Sequence, residues 1–227
     1  MATRFESPTS WKQWKALLVA DLEHVALRDR WGRALMAIGW IHLAFFLSCQ
    51  AFYRPDGSRA LISLGLWAGE FAAVLAALRL IAGRGWYRST PLAGLIARIW
   101  GTFLIVSFNV ASLNTQMGWA LDWFKPVWTT LSIFGLMMMA YLINGRYFFL
   151  AAWMFFTGLI MVRLPAYNYA IYGLSWWAAL QVVGSILERR RAVLFAGADG
   201  VAGTAVPVRP PILSALAELS AGQETAA

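Results

Sequence analysis

Charge is the scarcest property of this chain. Only 13% of its 227 residues are Asp, Glu, Lys or Arg, whereas 60% are hydrophobic and the mean hydropathy is +0.59. An ordinary soluble domain is about one quarter charged and about half apolar. The composition therefore excludes a typical water-soluble domain, indicates a membrane protein, and leaves too little polar sequence for a separate catalytic domain.

Metal ligands and catalytic motifs are equally scarce. Cys49 is the only cysteine, which excludes an internal disulfide and any multi-cysteine metal site. His24 and His42 are the only histidines and lie far apart in the chain, so neither a zinc site nor a bis-histidine haem is expected. The sequence contains no phosphate-binding loop, zinc-protease or nucleophile-elbow motif. We therefore predict no catalytic residues, no metal and no cofactor.

What the chain does contain is a series of long apolar runs separated by short polar turns. A helix needs about 20 apolar residues to cross about 30 Å of hydrocarbon. The fifth run is the shortest, but Arg146 and Arg163 bracket it and can reach the two membrane surfaces. The sequence predicts an all-α, polytopic membrane helix bundle with about six transmembrane helices: residues 34–53, 60–83, 91–113, 126–143, 147–162 and 166–187.

Two flanking segments complete the predicted organisation. Residues 1–33 are expected to form a cytoplasmic amphipathic helix that begins near Ser7 and Pro8, with Trp11 and Trp14 at the membrane interface. The alternative is a cytosolic helix that docks on a partner protein. Residues 188–227 are rich in Ala, Gly and Pro, and we predict a disordered cytoplasmic tail.

The basic residues give the predicted orientation. They concentrate before residue 34 and in the Arg189–Arg191 run, and positively charged flanks face the cytoplasm. Both termini are therefore expected inside. A nucleic-acid partner is not expected, because these residues sit at helix ends rather than along one solvated face. The excess of Arg over Lys suits a GC-rich bacterial genome, so the expected location is a bacterial inner membrane.

Chemistry in such a chain depends on the few polar side chains at membrane depth. Glu70 lies near the middle of the second span, where an ionised group costs about 2.5–3.5 kcal/mol. Its predicted partners are Arg98, which is preferred, then His42 and Gln181. This network is either a fastener between helices or a proton or anion site. The neighbouring Gly65 and Gly69 are expected to mark close helix packing.

A second polar group is predicted at the outer face. Tyr and amide side chains there could line a mouth for a neutral polar group, such as a sugar or a lipid headgroup. The alternative is an ordinary interfacial belt with helix capping. The group comprises Gln50, Tyr53, Asn109, Ser112, Asn114, Gln116, Tyr167, Asn168, Tyr169 and Tyr172.

Three functional classes remain open on these grounds. The preferred one is a non-catalytic subunit or assembly factor of a membrane complex, in contact with membrane lipid and a protein partner. The second is a small transporter or lipid-handling protein that uses the buried network, although no internal repeat typical of transporters is visible. The third is an intramembrane enzyme.

Overall fold

A computed structural model describes residues 10–54, 60–116 and 125–196, and all regular secondary structure in those residues is helical. The helix Ala60–Ala77 continues into a π-helical turn, Leu78–Ala82, which Gly83 terminates with a positive φ of 92° that glycine adopts without strain. Two 3₁₀ turns, Trp86–Arg88 and Pro165–Tyr167, precede the helices that begin at Pro91 and Asn168. The α-helices are α1 (Trp11–Arg28), α2 (Trp31–Phe52), α3 (Ala60–Ala77), α4 (Pro91–Gln116), α5 (Lys125–Leu142), α6 (Tyr147–Arg163) and α7 (Asn168–Ala196).

Within residues 10–54, 60–116 and 125–196, four helices are long and apolar enough to cross a membrane: Trp31–Phe52, Leu61–Ala82, Pro91–Asn114 and Pro165–Leu194. The prediction of an all-helical membrane bundle is therefore confirmed. The predicted number of six spans is not confirmed, because α5, with 18 residues, and α6, with 17, are not among these four helices. All six predicted spans are nevertheless helices.

Both flanking segments differ from their predicted boundaries. Helix α1 begins after Ser10, whose hydroxyl accepts a hydrogen bond from the Gln13 backbone N–H, while Oε1 of Gln13 accepts one from the Ser10 backbone N–H. This capping box satisfies two backbone N–H groups, and the predicted cap at Ser7 and Pro8 lies outside the described residues. Helix α7 continues to Ala196, so residues 188–196 are helical rather than disordered. The rest of the predicted tail, 197–227, lies outside the described residues.

Helices α2 and α7 pack against each other over their whole length, in antiparallel directions. A Cβ atom on Gly184 would lie 2.7 Å from the carbonyl oxygen of Gly32, and one on Gly173 would lie 2.7 Å from Cβ of Phe46. Small residues permit such close approach of helix backbones in lipid. The close packing predicted around Gly65 and Gly69 is absent at Gly65, where a Cβ would meet nothing within 4 Å.

The remaining helices continue the antiparallel order. Gly135 of α5 packs on Trp100 of α4, and the Trp128 indole donates to the carbonyl of Ser107 at 3.5 Å. Gly158 of α6 packs on Thr129 of α5. Neighbouring helices in the sequence are thus neighbours in space, as short connections require.

Aromatic rings fill the centre of the bundle. The buried residues Phe46, Trp128, Tyr169, Tyr172 and Trp176 form one continuous core. Centroid distances include 5.1 Å between Phe46 and Tyr172 and 5.8 Å between Phe46 and Trp128. Tilted and edge-on ring pairs at 4.5–7 Å are favourable beyond the area that they bury. The rings thus join α2, α5 and α7 into one packed unit.

Helix α1 packs across one end of the bundle, which we call the α1 end. Its second half buries Leu22 against Leu92, Ala93 and Ile96 of α4, whereas Trp11 and Trp14 are 72% and 39% exposed. The ammonium of Lys15 donates to the carbonyl oxygen of Tyr141 in the last turn of α5. Helix α1 therefore docks on its own bundle through its second half, and its exposed tryptophans remain available to an interface.

Candidate functional site

A histidine–carboxylate pair lies in the middle of the bundle. Nδ1 of His42, from the centre of α2, shares a hydrogen bond with Oε1 of Glu70, from the centre of α3. Only 15% and 12% of the two side chains are exposed. Their contact follows from the antiparallel packing of α2 and α3, which also places Phe45 against Gly69. We call this the His42–Glu70 pair.

Aromatic rings surround the imidazole on its other sides. The Phe46 ring stacks on it with centroids 4.3 Å apart, and the rings of Tyr172 and Trp176 lie at 5.7 Å and 6.0 Å. Nε2 of His42 is buried and has no hydrogen-bond partner among the described residues. The imidazole is therefore packed among rings of α2 and α7, with its Nδ1 on the Glu70 carboxyl group.

The other two residues predicted for this network lie elsewhere. The side chain of Arg98 is exposed, and within residues 10–54, 60–116 and 125–196 no ion pair joins it to Glu70. Gln181 of α7 donates from Nε2 to the carbonyl oxygen of Met36 at 2.9 Å, which ties α7 to α2. The structure thus brings together His42 and Glu70 and leaves Arg98 and Gln181 apart from them.

Two residues predicted at the outer mouth instead hold the start of α7. Gln50 donates from Nε2 to the carbonyl oxygen of Ala166 at 2.7 Å, and its Oε1 accepts from the backbone N–H of Ala170 at 3.2 Å. The buried Asn168 amide, with its nitrogen turned toward α6, donates to the carbonyl oxygen of Met161 at 2.6 Å. Backbone N–H groups in the first turn of a helix lack internal partners, so Gln50 acts as a cap supplied by α2.

The rest of the predicted mouth is split between the interior and the surface. Asn114 and Tyr172 are buried, and the Tyr172 hydroxyl lies 2.8 Å from Oγ of Ser132 in a hydrogen bond. Asn109 and Tyr167 are exposed. Because the buried members face neighbouring helices, the group does not line one common open surface.

Sequence reasoning did not identify Lys125 as a buried residue. It begins α5 and is only 1% exposed. Its ammonium lies 3.6 Å from the ring centroid of Tyr53 and 4.4 Å from that of Tyr169. A cation over aromatic faces gains about 2 kcal/mol when it is desolvated. The one available signal was that Lys125 is the only lysine outside the N-terminal segment.

Ion pairs close the α1 end. Nε of Arg33 lies 3.3 Å from Oε2 of Glu188, and Nη1 of Arg190 pairs with Oε1 of Glu23. Within α1, the hydrogen bond from Arg28 to Asp29 raises the pKa of the guanidinium above its ordinary value. Burial raises the pKa of the Asp21 carboxyl, against the opposing charges of His24 and Arg28. These contacts fasten α1 and α2 to the last turns of α7.

The chemistry open to this arrangement is limited. The His42–Glu70 pair can hold and exchange a proton at membrane depth, and the hydroxyl and amide groups tie helices together. In the described part of the chain, no three His, Cys, Asp or Glu side chains are grouped so that they could hold a metal ion. No protein-family model matches the sequence, and no curated protein or solved structure is significantly similar to it.

Proposed function

We propose that this chain is a non-catalytic subunit or assembly factor of a larger membrane complex. The proposal rests on one observation: the polar side chains inside the bundle form hydrogen bonds between neighbouring helices. Gln50, Gln181 and Asn168 bind backbone carbonyl groups of neighbouring helices, and the hydroxyls of Thr157 and Ser175 join α6 to α7 at 2.9 Å. Groups spent on helix–helix contacts are unavailable to a substrate, which favours a structural role.

Native mass measurement tests this role. The full chain, purified in mild detergent from its native membrane at its native level, is expected to carry a stoichiometric protein partner in addition to its own 25.2 kDa. The same complex should form with the H42Q/E70Q variant, because the His42–Glu70 pair is buried away from the outer surface. If the purified chain is a monomer or contains only copies of itself, the proposal is contradicted.

We further propose that the six helices from α2 to α7 all cross a bacterial inner membrane, with both termini in the cytoplasm. Helix α4 is long and apolar enough to cross a membrane, and two contacts align α5 with it. Gly135 lies at the level of Trp100, and Trp128 lies at the level of Ser107. Helix α6 is aligned in turn with α5 and α7, through Thr129–Gly158 and Thr157–Ser175. Neighbours at common depth share the same hydrocarbon layer, and Arg146 and Arg163 can extend to its surfaces.

One reporter position separates six spans from four. Fusions after residues 88 and 190 are cytoplasmic in both topologies, because the four-span topology differs from the six-span one only in that neither α5 nor α6 crosses the membrane. A fusion after residue 145, between α5 and α6, reports the cytoplasm only if both helices cross. We expect a cytoplasmic signal there, measured with paired phosphatase and fluorescent-protein fusions. An external signal at 145 together with a cytoplasmic one at 190 would establish four spans.

A second candidate function, a small proton-linked transporter, is favoured by the unpartnered Nε2 of His42 beside Glu70. Intramembrane ionisable residues commonly lie on ion and proton pathways. Proteoliposomes loaded with a pH-sensitive dye distinguish the two functions. A proton flux that E70Q abolishes would favour transport, whereas the subunit proposal expects no flux above that of empty vesicles.

A further inference from the structure

The three consecutive arginines near the end of α7 differ in what they bind. Arg190 pairs with Glu23 of α1, and Arg191 lies 3.9 Å from Glu188, which also binds Arg33. Arg189 is exposed and has neither an ion pair nor a hydrogen bond among the described residues. Within the described part of the chain, carboxylates thus pair with two of the three guanidinium groups, and none pairs with the third.

Arg189 stands at the end of a groove on the surface of α7. The groove is open, has a volume of about 290 Å³, and is lined by Gln181, Val182, Ser185, Ile186 and Arg189. These positions lie on one face of the helix and extend about 12 Å along its axis. The groove therefore points from the α1 end toward the middle of the bundle, parallel to the direction of a lipid chain.

The polar side chains of the groove are directed away from it. Gln181 donates to the carbonyl oxygen of Met36, and Oγ of Ser185 lies 3.8 Å from Sδ of the same residue. Val182 and Ile186 are instead 54% and 46% exposed. The groove consequently has an apolar wall and a single unpaired cation at its mouth.

We propose that this groove binds one anionic phospholipid of the leaflet at the α1 end, with the phosphate on Arg189 and an acyl chain along Val182 and Ile186. A guanidinium binds phosphate oxygens in charge-assisted pairs. The α1 end has an excess of positive charge, since Arg28, Arg30 and Arg33 accompany the arginine run. Each basic residue near an anionic leaflet adds to the attraction. A headgroup with net negative charge therefore fits better than a zwitterionic one.

Competition between two lipids tests the site on the full chain. The protein is mixed in detergent with equimolar phosphatidylglycerol and phosphatidylcholine, and retained lipid is counted by native mass spectrometry. We expect one phosphatidylglycerol to be retained preferentially. The R189Q variant should lose about tenfold in affinity for it, which is the size of one hydrogen bond to a charged group. In the V182W variant the indole fills the groove while Arg189 keeps its charge, and this variant should retain neither lipid at this site.

The matched control is R84Q. Arg84 is an exposed arginine between α3 and α4, at the same end of the bundle, and it does not line the groove. If R84Q weakens retention as much as R189Q does, the attraction is general electrostatics and the proposal is overturned. It is also overturned if V182W retains lipid normally, or if millimolar inorganic phosphate displaces the lipid completely, since the site would then bind free phosphate.

Discussion

Replacing either His42 or Glu70 by leucine is expected to lower the free energy of unfolding by about 3–5 kcal/mol. Each substitution removes one member of a buried pair and leaves the other in the interior without its charge partner. Water cannot replace that partner at membrane depth, where an isolated ionised group is costly. The measurement is unfolding of the purified chain in mixed micelles, followed by circular dichroism.

The double variant H42L/E70L decides whether the two residues act as a pair. Removing both groups leaves no buried charge, so its loss of stability should be smaller than the sum of the two single losses. Arg98→Leu is the matched control, because the Arg98 side chain is exposed and a surface substitution changes stability by about 0.5 kcal/mol at most. Additive losses for His42 and Glu70, or a large loss for Arg98→Leu, would contradict the pairing.

Introducing a methyl group between α2 and α7 is also expected to be strongly destabilising. A Cβ on Gly184 would lie 2.6 Å from Cγ of Met36 and 2.7 Å from the carbonyl oxygen of Gly32, and one on Gly32 would lie 2.7 Å from the carbonyl oxygen of Gly184. A flexible side chain can move aside, but a helical carbonyl cannot. Overpacking costs about 1–3 kcal/mol, and we expect Gly32→Ala and Gly184→Ala to reach or exceed the upper value.

Glycines outside the interface supply the control for that prediction. A Cβ at Gly65 of α3 or Gly101 of α4 would meet nothing within 4 Å. Alanine favours a helix over glycine by about 0.5–1 kcal/mol, so Gly65→Ala and Gly101→Ala should stabilise the chain slightly. The comparison uses the thermal unfolding midpoint in one detergent. Equal effects at all four glycines would show that backbone entropy dominates and that α2 and α7 do not pack closely.

The helices were predictable because two signals agreed along the chain. Long apolar runs defined the spans, and turn residues such as Asn144 and Gly145 defined the breaks, so every predicted span corresponds to a helix. Helix ends were harder to predict. The tail after Leu187 is rich in Ala, Gly and Pro, yet α7 continues to Ala196 because Glu188 and Arg190 bind residues of α2 and α1. Such contacts are not visible in local sequence.

The preferred partner of Glu70, Arg98, was wrong for a geometric reason. With the first span placed from 34, His42 was placed too close to the membrane surface, but α2 begins at Trp31 and His42 lies about 16 Å from that end, close to the depth of Glu70. Arg98 lies only about 10 Å from the start of α4. Counting residues also gives only the depth of a side chain in the membrane, and not the side of the helix on which it lies. Lys125 illustrates this limit, because its burial depends on two tyrosines from other helices.

The pairing of α2 with α7 has a consequence for synthesis. The Gln181–Met36 hydrogen bond joins residues 145 positions apart. At about 5–20 residues per second, on the order of ten seconds of translation separate the emergence of the two helices. During that interval the glycine face of α2 has no permanent neighbour, and the bundle closes on this side only when α7 enters the bilayer. Lipid or the insertion machinery must therefore cover this face of α2 until α7 has been synthesised.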